Sequence, residues 1–142
     1  MKIFALVAVL FFGLVGHAQN KISVQVTNFS SNKGVCIVCL YNNAKAYGGK
    51  GDPLKCTTVA ITNKTATASF DEIADGTYAI SVIHDANNNK KFDTNFLGIP
   101  TEGYGASQNN LPFAAAPKFD ENKFTVNTTS TASPTIKLRY IF

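Results

Sequence analysis

The segment His84-Asp85-Ala86-Asn87-Asn88-Asn89-Lys90-Lys91-Phe92-Asp93 holds the densest chemistry in the chain. Counted from Asp85, oxygen-bearing side chains fall at relative positions 1, 3, 5 and 9: Asp85, Asn87, Asn89 and Asp93. This is the spacing of an EF-hand-like calcium loop, in which alternate residues of a tight bend aim short side chains at a common centre. The backbone carbonyl of Lys91, at position 7, supplies a further oxygen. Two positions depart from the pattern. Lys90 stands at position 6, where glycine makes the sharp turn, and Phe96 stands at position 12, where a bidentate Glu is usual. Glu102 replaces that Glu only if the chain folds back, and His84, Glu102 and Tyr104 are the additional candidates around the same centre. With two certain carboxylates the expected affinity for Ca²⁺ is weak, on the order of 10⁻⁴ to 10⁻³ M as in extracellular modules. The plainer reading is that Asp and Asn simply cap and turn an ordinary loop.

A catalytic reading uses His84, Asp85 and Glu102 as the acid–base set of a hydrolase-type enzyme, in a pocket roofed by Tyr104. Neighbours in a strand face opposite ways, so His84 and Asp85 do not by themselves form a dyad. Gly-x-Ser-x-Gly, His-Glu-x-x-His and a phosphate-cradling glycine loop are absent from the sequence. The residues therefore predict a non-enzymatic binding or structural module with Ca²⁺ as its one candidate cofactor. Downstream, Phe96, Leu97, Ile99 and Tyr104 are predicted to fold over the end of the domain as a lid, because clustered exposed apolar groups are costly. A binding surface is their other use.

The start of the chain bears on compartment. Lys2 precedes an apolar run from Ile3 to Val15, and Gly16-His17-Ala18 offers small residues at a cleavage site. This is the pattern of a signal peptide over residues 1–18, too short for the roughly 20 residues that span a bilayer. Export to the periplasm or the extracellular space is expected, with no stable membrane span after removal and a domain over residues 19–142. Of 13 Lys and Arg, Lys2 lies in the leader, which leaves 12 against 9 acidic residues. These are scattered, so the basic stripe that nucleic acid requires is missing. A cell-envelope glycan or another protein is the expected partner class.

Export permits disulfides. Cys36 and Cys39 lie three apart in what reads as a strand, which puts them on opposite faces and beyond bonding reach. A bridge would join Cys56 to one of the two; otherwise cysteine serves as a small buried hydrophobe.

The elements that must position these residues are strands. Ile22, Val24 and Val26 alternate with polar residues, and Val35 to Tyr41 is a continuous apolar run. Val59 and Ile61 lead through Asn63-Lys64 to Ala66, Ala68 and Phe70, the pattern of a hairpin. Tyr78 to Ile83, Phe124 to Val126 and Ile136 to Phe142 complete seven strands. Asn42 to Lys55 is a glycine-containing connection suited to crossing between sheets with a short helical turn, and residues 85–121 form one long irregular region. The expected fold class is all-β: a single seven-stranded antiparallel β-sandwich with one long irregular loop.

Phe70-Asp71-Glu72-Ile73, Gly76-Thr77-Tyr78-Ala79-Ile80, His84-Asp85-Ala86-Asn87-Asn88-Asn89 and Leu97-Gly98-Ile99-Pro100-Thr101-Glu102-Gly103-Tyr104-Gly105 together resemble the DUF2141 family of exported bacterial proteins. The resemblance runs from Val24 to Tyr140 and departs at Lys90, where that family usually has glycine. The Gly-x-Tyr strand also looks like those of transthyretin-like and carboxypeptidase-regulatory-like sandwiches, a transthyretin-like or Ig-like fold. The resemblance implies that fold and no particular activity.

Overall fold

The computed structural model describes residues 20–129 and 131–142; the expected signal peptide lies outside them. Eight strands form two sheets. One has the order β4-β1-β8, from β1 (Asn20–Thr27), β4 (Ala66–Ile73) and β8 (Thr135–Lys137). The other has the order β3-β2-β5-β6, from β2 (Val35–Tyr41), β3 (Lys55–Val59), β5 (Gly76–Asp85) and β6 (Gly103–Ala106), with β7 (Phe124–Val126) on the first residues of β5. Period-two alternation explains the layers. Ile22, Val24, Val26, Ala66, Ala68 and Phe70 face Cys36, Val38, Leu40, Tyr78, Ile80 and Val82 in one core, while their neighbours point outward.

The all-β class holds, with three differences in detail. The additional strand, β6, lies in the region expected to be irregular, and β8 runs parallel to β1 rather than antiparallel. Asn63 and Lys64 both take positive φ (52° and 56°) and close a Thr62–Thr65 bridge, as a two-residue hairpin turn demands. Its legs then part. β3 pairs with β2 and β4 with β1, so this turn makes the crossing between sheets. The Asn42–Lys55 connection holds a helical turn at Ala46–Lys50 but returns to the same sheet.

Register settles the cysteines. Cys39 stands opposite Cys56 in the β2–β3 ladder with Cα atoms 4.2 Å apart, and the two form a disulfide. Cys36, on the inner face, is a buried free thiol.

One end of the sandwich gathers the segments of interest. β5 finishes there at Asp85, and β2 begins there after the Asn28–Gly34 loop. The Asn63-Lys64 turn joins that loop through an N–H of Lys64 donated to Asn32 Oδ1 at 2.8 Å. Tyr140 reaches the same place, its hydroxyl accepting from the Ser30 N–H at 3.0 Å.

Candidate functional site

His84 and Asp85 are the last two residues of β5, and alternation sends them to opposite faces. His84 points inward and is 1% exposed. Its Nε2 lies 2.8 Å from the Lys33 carbonyl and its Nδ1 2.8 Å from the Tyr140 hydroxyl. A carbonyl only accepts, so Nε2 carries the proton and Nδ1 takes the tyrosine's. Phe29 packs edge-on against the imidazole at 5.1 Å. Every polar atom of the ring is consumed, and the side chain fastens the Asn28–Gly34 loop and Tyr140 to β5. The additional-ligand assignment for His84 is corrected accordingly: neither nitrogen is free.

Asp85 is fully buried and opens the polar loop. Its Oδ1 accepts the Asn89 N–H at 3.0 Å and its Oδ2 the Lys90 N–H at 2.8 Å. Asn87 Oδ1 accepts from Asn89 N at 3.1 Å, and Asn89 Oδ1 from Lys91 N at 2.9 Å. A short polar side chain thus folds the backbone at positions 1, 3 and 5, the reason Asp and Asn suit such bends. Lys90 takes φ 62°, the left-handed conformation that the glycine of this loop type provides.

The chain does fold back. Thr94 bridges Pro100, and the Thr101 N–H reaches the Asp93 carbonyl at 3.0 Å. This hairpin returns Glu102 to the loop, where Oε1 accepts from Ala86 N at 3.2 Å and Oε2 from Asp93 N at 3.1 Å. Glu102 is 7% exposed. Asp93 in turn receives the Asn87 amide at 2.7 Å and both contacts of the Asn89 amide at 3.0 and 2.8 Å. Three carboxylates, two amides and the backbone up to Lys91 therefore belong to one hydrogen-bonded knot. Each Asn turns its oxygen to the backbone and its nitrogen to Asp93, so Asp93 is bound by N–H donors. Among the described residues, no group of three or more His, Cys, Asp or Glu side chains is arranged as a metal-binding cluster.

The set that the alternative, catalytic reading would use does not meet. His84 serves the core side of the sheet, while Asp85 and Glu102 each hold backbone N–H groups of the loop. Tyr104 is not their roof; its ring packs on Phe92 at 5.9 Å and its backbone pairs with Arg139. The lid is likewise corrected. Phe96 is 94% and Leu97 67% exposed, while Ile99 and Tyr104 are half-buried. Asn95 explains the difference, because its Oδ1 accepts N–H groups from Leu97 and Ile99 at 2.9 and 3.0 Å and makes a tight turn that aims both apolar side chains outward. Asn95 makes the same Asx turn as Asn87, accepting the N–H two residues on, a signal present in the sequence.

Residues 24–133 match the family model described as "Uncharacterized protein conserved in bacteria (DUF2141)". No curated protein matches, and no solved structure does.

Proposed function

The chain belongs to the DUF2141 family, and on that premise we propose that it is an exported, non-enzymatic binding or structural module whose Asp85–Asp93 loop is a weak Ca²⁺ clamp. One observation carries this reading: the Asp85 carboxylate gathers the Asn89 and Lys90 N–H groups around a left-handed Lys90. That fold of the backbone is what turns oxygens at positions 1, 3, 5 and 7 toward one centre in a calcium loop. Glu102, returned by the 93–101 hairpin, stands in for the missing Glu at position 12. The candidate ligands are Asp85, Asn87, Asn89, the Lys91 carbonyl, Asp93 and Glu102. Binding is weak because the ion must take Asp93 from the three amide contacts that hold it. The non-catalytic reading is supported by the way His84, Asp85 and Glu102 spend their polar atoms on three separate structural tasks.

Thermal melts in calcium and in chelator test the clamp. A ligand that binds only the folded state at ten times its Kd adds about 1.4 kcal/mol. A melting point higher by several degrees in millimolar calcium is therefore expected, and Asp85→Ala should abolish the response. Identical melts in calcium and chelator would reject it.

A further inference from the structure

We propose that the end of the sandwich bearing the 86–102 loop docks onto an anionic lipid bilayer, with Phe96 and Leu97 entering the interface and Lys90 and Lys91 at the headgroups. The proposal names a partner for the module described above and rests on its reading as a binding module; it needs no cation.

The tip is built to project. Phe96 and Leu97 stand side by side at 94% and 67% exposure, far above what a buried lid shows. The backbone N–H groups beneath them are largely paired within the turn. Besides the two bonds to Asn95 Oδ1, the Asn95 carbonyl accepts from Gly98 N at 2.9 Å and the Asn95 N–H reaches the Ile99 carbonyl at 2.9 Å. Such a turn enters an apolar boundary with few N–H groups to strip of water. Phe92, 40% exposed, adds a second aromatic behind the tip.

Charge is divided along the molecule in the matching sense. The far end mixes both signs. Asp71 pairs with Lys21 there, the Lys55 ammonium donates to the Asp71 backbone carbonyl, and Asp120 pairs with Lys123. At the loop end stand Lys33, Lys64, Lys90, Lys91, Lys137 and Arg139, all exposed. The acids at that end are Asp85, Asp93 and Glu102, and of these Asp85 and Glu102 are buried against backbone N–H groups. The net positive charge of the described chain therefore sits at the end that carries the apolar tip. A projecting apolar knob alone would fit a pocket in a protein. A knob with lysines behind it fits an interface where apolar groups sink to the acyl boundary and cations stay at the phosphates.

The chain contains no tryptophan, so Phe96→Trp places a single indole reporter at an exposed position where folding is not at issue. Its emission is followed in chelator with vesicles of phosphatidylglycerol and phosphatidylcholine, and with phosphatidylcholine alone. The expected result is a blue shift on the mixed vesicles, quenched by brominated lipid and reversed by salt. Lys90→Gln and Lys91→Gln in that background should weaken binding roughly fivefold each. Unchanged emission on anionic vesicles overturns the proposal. So does a shift that is equal on neutral vesicles and indifferent to the lysines, or one that appears without vesicles as protein concentration rises, which would make a second copy the occupant. The calcium melts are read separately, so failure of one proposal is not failure of the other.

Discussion

Lys90 sits at φ 62° because Asp85 Oδ2 fixes its N–H, and its side chain has no role in the bend. An L-residue in that conformation costs roughly 1–2 kcal/mol, of which glycine's extra chain entropy gives back about 0.5–1. Lys90→Gly should accordingly stabilise the fold by about 0.5–1 kcal/mol, measured by urea denaturation. An unchanged or lower midpoint would mean that the bend is not strained. The same loop shows what single residues disclose. The 1, 3, 5, 9 spacing of Asp85, Asn87, Asn89 and Asp93 was legible because side-chain bonds to N–H groups two to five residues on are local chemistry. The amides that hold Asp93, and the return of Glu102, were not legible, since both depend on a hairpin whose closure is a property of three dimensions. His84 gave no local sign that Lys33, from the loop before β2, and Tyr140, from the segment after β8, would claim its two nitrogens.

Among the elements, β1, β4 and β5 announced themselves by alternation and β2 by a continuous apolar run, but β6 did not. Gly103-Tyr104-Gly105-Ala106 has poor strand propensity, and its glycines answer to neighbours instead: a Cβ on Gly103 would meet the Tyr140 ring at 2.4 Å, and one on Gly105 would meet Ile136 at 2.6 Å. That constraint is written in residues more than thirty positions away. Turn chemistry at Asn63-Lys64 was likewise readable, while the sheet joined by each leg was not, because pairing partners are chosen by the core. The β2–β3 pair carries the disulfide, and its bridge closes a separation of 17 residues. Closing a loop of that size removes about 3 kcal/mol of unfolded-state freedom. Cys56→Ala, or reduction, should therefore lower the unfolding free energy by about 3 kcal/mol, seen as a smaller denaturant midpoint with little change in slope. A loss under about 1 kcal/mol would show that the reduced chain already keeps this pair of strands together.

The molecule as a whole keeps several weak acids neutral inside it. Burial pushes the Cys36 thiol up from 9.0 to about 12. Burial, with Tyr41 beside it, also raises Tyr47, and burial with Asp75 raises Tyr78, whose hydroxyl bonds the Ala74 carbonyl at 2.8 Å. Each is harder to ionise folded than unfolded, so the stability they contribute is complete below the unfolded values and is lost as pH climbs toward the folded ones. Melting temperature should be flat through neutrality and fall from about pH 9 upward; Cys36→Ala, although destabilising overall, should lessen that slope. An alkaline limb of equal steepness in the variant would assign the loss to the tyrosines. The architecture also governs when folding finishes. β1 lies between β4 and β8, and Asn28 grips the Leu138 carbonyl across a separation of 110 residues. β1 must wait, one flank bare, for β8, whose Ile136 pairs with Val26 across more than a hundred residues of chain. During synthesis the three-stranded layer stays unfinished until β8 has been made, so this layer closes late however early β1 and β4 pair.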